Sequence, residues 1–140
     1  MERGGTVETG AITGKGLPGG MPVVDYDISF KVRIGDPVDV CNAVKDIFLS
    51  VYPEGDFSPI QQSFDHAARM YRGENPGYHP CDTDYHDLRH VLDVTLAVSR
   101  LLAGYERVHA GMPDALGEER MQMGIIGAIF HDIGYFFHQI

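Results

Sequence analysis

The stretch EERMQMGIIGAIFHDIGY, residues 118–135, decides the fold class predicted for this chain. It begins with acidic residues, as helices often do, continues with a run that is apolar on nearly every face, and closes at Gly134. Such a pattern predicts a central, buried helix. His131 and Asp132 stand near its end. Because an ionised carboxylate is costly to bury unless it is paired or bound to metal, this pair favours a functional site.

Two earlier segments have the start and stop signals of helices. Asp36 is an aspartate cap followed by proline, which predicts a helix from about 37 to 52. Ser58 is a second cap followed by proline, and Gly73 is a stop, which predicts a helix from about 59 to 72.

A longer apolar pattern predicts the remaining helix, from about 84 to 108. Apolar positions taken to build the helical faces include Val38, Val40, Val44, Ile47, Phe48, Val51, Ile60, Phe64, Ala67, Ala68, Tyr71, Leu88, Val91, Leu92, Leu96, Val98, Leu101, Leu102 and Tyr105. No internal repeat and no convincing sheet is visible. The predicted fold class is therefore all-α.

The N-terminal region has a different composition. Residues 1–20 contain seven glycines and no aromatic residue, so they have little apolar surface to offset the entropy of ordering them. Residues 22–35 alternate loosely and suggest a short extended segment. We therefore predict a flexible arm and extended segment over 1–35, and a helical domain over 36–140.

Length and charge limit the classes of function. A chain of 140 residues suits a single domain, and 11 basic against 20 acidic residues leave a net charge of -9. That charge argues against nucleic acid or an anionic membrane as a partner, unless a bound divalent cation reverses the field locally. No apolar run approaches the roughly 18 residues of a membrane span. Cys41 and Cys81 form no disulfide framework and no signal segment is visible, so we expect inert thiols and a cytoplasmic protein.

A second polar constellation lies in YHDLRHVLDV, residues 85–94. His86, His90 and Asp93 have the spacing of one face of the predicted third helix. Histidines spaced in this way are most often an ordinary polar seam, and Asp93 suits a supporting role better than direct ligation. If packing brings this face to His131 and Asp132, imidazole and carboxylate donors suit a divalent zinc, iron, manganese or magnesium ion.

The other histidines carry weaker signals. For His66 and His79 a structural role is the better interpretation, since neither has a partner at a telling spacing. His109 lies near a helix end, where the dipole favours a cation, and we assign it no chemistry. His138 lies close to the predicted site and stays open as a candidate.

Two ordered motifs resemble those of a known family. FHDIGY, residues 130–135, is similar to the histidine-aspartate signature of the HD superfamily of metal-dependent phosphohydrolases. YHDLRHVLDV resembles the Y-H-x-x-x-H-x-x-D-V signature of class I cyclic nucleotide phosphodiesterases within that superfamily. The resemblance covers roughly residues 84 to 135 and implies an HD-domain-like helical bundle.

The resemblance also implies roles for individual residues. His90, His131 and Asp132 would be metal ligands, with Asp132 bridging two ions if the site is dinuclear. His86 would be the general acid that protonates the leaving oxygen. These roles agree with general chemistry, because a divalent ion lowers the pKa of bound water and an uncoordinated histidine transfers protons near neutral pH.

The chain also departs from the family pattern. The family has a further aspartate ligand well downstream of the histidine-aspartate pair, whereas this chain ends at Ile140. We therefore expect the N-terminal part of a longer catalytic domain, an incomplete bundle that is inactive alone. Its open helical face could support a homodimer.

The expected function is a metal-dependent phosphohydrolase with a small anionic phosphate-ester substrate and one or two divalent ions. Hydrolysis of a phosphodiester such as a cyclic nucleotide, by attack of metal-bound hydroxide, is the leading interpretation. A nucleotide phosphomonoesterase of the same superfamily is one alternative. A non-catalytic helical module for signalling or assembly, with a degenerate site, is the other.

Overall fold

The computed structural model describes residues 26–74 and 87–133. Over these ranges the chain forms four helices, α1 Pro37–Val51, α2 Ser58–Tyr71, α3 Leu88–His109 and α4 Glu118–Phe130. The described residues include no strand, and an isolated antiparallel bridge joins Tyr26 to Arg33. The all-α prediction is confirmed.

The first two helices begin at the proline signals, with one change in the capping. The Asp36 side chain accepts hydrogen bonds from the backbone N–H groups at the start of α1, as predicted. At α2 the predicted cap is wrong. Ser58 is already helical, and both its backbone N–H and its hydroxyl donate to the carboxylate of Asp56. Gly73 follows the end of α2 with a positive φ of 74°, a conformation that glycine adopts without steric cost.

The core draws on all four helices. Helix α4 packs against both α2 and α3, and α1 covers α3 and α2. Phe48, Ile60, Leu92 and Ile125 are among the fully buried side chains at the centre. Burying a side chain of this size stabilises the fold by about 1.5–3 kcal/mol, so these contacts hold the four helices together.

Some apolar positions point outward instead. Val38 is 64% exposed and Leu101 is 73% exposed, so their assignment to the packed faces is wrong. Helix α4 is buried on one face only, because Met123 is 71% exposed and Gly127 also faces solvent. The expectation of burial all round is therefore wrong for α4.

Residues 26–35 pack with the helices. Ile34 belongs to the hydrophobic core, and Asp27 is buried and paired with Arg100 of α3 at 2.6 Å. The predicted flexible arm of residues 1–20, and the predicted extended segment as far as residue 25, lie outside the described part of the chain. No helix in the described part combines the length and the apolar character needed to cross a membrane.

Candidate metal centre

The start of α3 positions His90. Asp87 is the N-cap, and its Oδ1 accepts a hydrogen bond of 2.9 Å from the backbone N–H of His90. Helix α3 therefore begins at Leu88 and not near residue 84. His86 lies outside the described residues, so its predicted position on one helix face with His90 stays a prediction.

The end of α4 positions the other two donors. The helix ends at Phe130, His131 is its C-cap, and Asp132 follows in the same turn. The sequence placed this pair near the end of a longer helix, whereas the structure places it just beyond the last helical residue. Since α4 packs against α3, this turn reaches the first turn of α3.

His90, His131 and Asp132 come together as one cluster. Each offers a ligand atom, and these atoms all lie within 4.8 Å of one another. Asp132 Oδ2 is 3.5 Å from His90 Nε2 and 3.3 Å from His131 Nε2. Two donors that bind one ion at about 2.1 Å with angles of 90–110° lie roughly 3.0–3.4 Å apart. The two distances from Asp132 are close to this range, and the three residues together could hold one divalent ion.

A hydrogen bond sets the tautomer of His131. Its Nδ1 lies 2.6 Å from the backbone carbonyl oxygen of Ala128. A carbonyl oxygen only accepts, so we assign the proton to Nδ1, which leaves the Nε2 lone pair directed to the cluster. Metal-binding histidines commonly donate their second ring N–H in this way.

The electrostatics of the cluster favour a cation. Asp132 is only 7% exposed, so its carboxylate is poorly compensated by water. It also lies at the C-terminal end of α4, where the helix dipole contributes partial negative charge. A divalent ion bound by two imidazoles and one carboxylate would offset the buried charge of Asp132 and the partial negative charge of the helix end. It would also keep coordination positions open.

Comparison with protein-family models, with curated proteins and with solved structures finds no match to this chain. The donor geometry and the two sequence motifs therefore carry the functional argument.

The remaining sequence candidates fall into two groups. Asp93 is exposed and does not belong to the cluster of ligand atoms. His109 stacks on Tyr105, with ring centroids 3.8 Å apart. His79 and His138 lie outside the described residues.

His66, for which a structural role stays the prediction, contacts a neighbouring helix. Its side chain is exposed on α2 and meets the ring of Phe130 edge-on, with centroids 6.0 Å apart. His66 lies three residues before Arg69 on the same helix, which places both side chains on one face. This spacing was the only sign in the sequence that the two residues lie together.

The buried thiol is consistent with an inert cysteine. Cys41 is free, and burial raises its pKa to about 11. A thiol with this pKa is almost entirely protonated at neutral pH, so it is a poor nucleophile and a poor metal ligand. Cys81 lies outside the described residues.

Proposed function

We propose that this chain is a metal-dependent phosphohydrolase that acts on a phosphodiester such as a cyclic nucleotide. The observation that carries the proposal is the cluster of His90, His131 and Asp132, whose ligand atoms lie within 4.8 Å of one another. The resemblance of the two motifs to the HD superfamily supports phosphate esters as the substrate class.

The side chains of the cluster suit this chemistry. His131 is oriented by Ala128, and Asp132 supplies buried negative charge to hold a divalent cation. A bound ion would supply the activation of a water molecule and the neutralisation of phosphate charge. Because the chain carries a net charge of -9, that local positive charge also explains how an anionic substrate could approach.

His86 is proposed as the proton donor to the leaving oxygen, on the basis of the motif alone. Imidazole suits this role because its unperturbed pKa lies near neutrality. This assignment is tested by a variant that keeps its bound metal but loses turnover.

The experiment measures bound metal and hydrolysis in the same samples. We expect His131→Ala and Asp132→Ala to lose most bound metal, because each removes one of three donors. We expect His86→Ala to keep its metal and lose about 10²–10⁴-fold in turnover, the usual contribution of general acid catalysis. Asp93→Ala is the matched control, since Asp93 is an exposed carboxylate on α3 outside the cluster.

The outcomes separate the alternatives. A wild-type protein that binds no divalent ion would contradict the metal centre. Metal binding without turnover of either cyclic nucleotides or nucleoside monophosphates, both in this chain and in one extended past Ile140, would favour the non-catalytic helical module. Faster turnover of monoesters than diesters would reassign the substrate, and equal metal loss in His86→Ala and His131→Ala would contradict a separate acid.

A further inference from the structure

A second candidate binding region lies between α2 and the end of α4. An open groove of about 520 Å³ runs between α2 and α4, a size within the usual range for small-molecule sites. One wall is polar and consists of α2 side chains, among them Gln62, His66 and Arg69. The other wall is apolar and consists of Ile126 and Phe130 of α4.

The charge of this groove is unusual for the chain. Acidic residues outnumber basic ones by 20 to 11, yet no carboxylate lines the groove. Two other grooves in the described part of the chain do contain carboxylates, Asp65 in one and Asp39 with Asp46 in the other. A groove that combines a cation with no acidic side chain is suited to an anion.

The donors in the groove are available to a ligand. Arg69 is exposed, and its Nε donates to the backbone carbonyl of Asp65 at 3.3 Å. Among the described residues no carboxylate forms a salt bridge with Arg69. That bond uses only Nε, so the two terminal amino groups of the guanidinium can donate to the paired oxygens of a phosphate. His66 lies one turn earlier on the same face and contacts the Phe130 ring with its edge.

We propose that this groove binds a phosphate ester with a flat organic part. The phosphate group is held by Arg69 and His66, and the flat part lies along Ile126 and Phe130. The site is distinct from the metal cluster, because Phe130 borders α2 whereas His131 and Asp132 meet His90 of α3. The proposal does not depend on bound metal or on the hydrolytic function.

The test uses adenosine 5′-monophosphate as the probe and the whole chain freed of metal with a chelator. Isothermal titration calorimetry should show binding of the monophosphate, and much weaker binding of adenosine and of ribose 5-phosphate. Arg69→Gln should weaken the monophosphate about tenfold, since it removes charge-assisted hydrogen bonds. Arg120→Gln is the matched control, an exposed arginine of α4 outside the groove, and should change the affinity less than twofold.

Asp132→Asn separates this site from the metal centre, and it should leave binding of the monophosphate to the metal-free protein unchanged. Loss of binding in Asp132→Asn, or equal weakening in Arg69→Gln and Arg120→Gln, would overturn the proposal. So would a wild-type protein that does not bind the monophosphate, or that binds adenosine or ribose 5-phosphate equally tightly. Circular dichroism of each variant checks that its helices are intact.

Discussion

Asp27 joins the segment before α1 to the body of the protein. Its carboxylate accepts hydrogen bonds from the backbone N–H groups of Lys31 and Val32 and from both the backbone N–H and the hydroxyl of Ser29. Arg100 of α3 adds a charged hydrogen bond of 2.6 Å. Burial raises the pKa of Asp27, but these hydrogen bonds outweigh it and hold the pKa well below its usual range.

We predict that Asp27→Asn lowers the free energy of unfolding by about 2–3 kcal/mol at pH 7, because the charged hydrogen bonds are lost. A depressed folded-state pKa stabilises the fold above the unfolded-state value of about 3.9. That contribution is lost as the pH falls through the folded-state pKa. The difference between wild type and variant in urea unfolding should therefore be constant near neutrality and shrink below about pH 4.

Asp46→Asn is the matched control, because Asp46 is an exposed aspartate of α1. It removes the same charge and should change the stability by less than about 0.5 kcal/mol. Equal destabilisation by the two variants would contradict a specific role for Asp27.

Helix α4 contains two glycines in different surroundings. A Cβ added at Gly124 would lie 2.7 Å from Leu102 Cδ1, whereas one added at Gly127 would meet nothing within 4 Å. Gly124 therefore allows α4 to approach α3 closely, and Gly127 has no such packing role among the described residues.

We predict that Gly127→Ala stabilises the protein by about 0.5–1 kcal/mol, because alanine has the higher helix propensity. Gly124→Ala should gain less than Gly127→Ala or be destabilising, since Leu102 must change its position. Thermal and urea unfolding of the two single variants measure the difference. A larger gain at Gly124 than at Gly127 would show that α3 and α4 are not in close contact at this point.

The contact between the start of α3 and the end of α4 links metal binding to the stability of the whole molecule. His90 lies in the first turn of α3, and His131 and Asp132 follow α4, so one ion would join two elements. A ligand that binds only the folded state stabilises it by about 2.7 kcal/mol at a hundredfold excess over its Kd.

We therefore predict that zinc or manganese raises the Tm by roughly 5–15 °C under those conditions. The increase should disappear in Asp132→Asn and persist in Asp93→Asn, which changes an exposed carboxylate near the cluster. Differential scanning fluorimetry with and without a chelator measures both. An increase that persists in Asp132→Asn would place the stabilising ion elsewhere.

Much of the helical pattern could be predicted, because its signals are local. Asp36 caps α1 through bonds to residues two and three positions later, and Gly73 ends α2 through its own φ. The start of α3 was predicted too early because the aspartate that caps the helix, Asp87, lies within the same polar motif. Ser58 was predicted as a cap because serine followed by proline is a common start signal, whereas Ser58 instead donates its backbone N–H to Asp56.

Tertiary contacts explain the other errors. Val38 and Leu101 fit the apolar pattern but are exposed, because periodicity defines a face and not the neighbour that covers it. His66 showed no partner in the sequence, and its contact with Phe130 exists only because α2 packs against α4.

The sequence by itself determined the all-α class and the limits of α1 and α2 to within a residue or two, and the resemblance of two motifs pointed to three candidate metal ligands. These properties depend on residue types and on spacings along a few turns. Only the tertiary structure decided that the donor atoms of His90, His131 and Asp132 come within 4.8 Å of one another and that the groove beside Phe130 lacks carboxylates. The distances between helices depend on how whole faces of side chains pack together. Residues far apart in the chain contribute jointly to that packing.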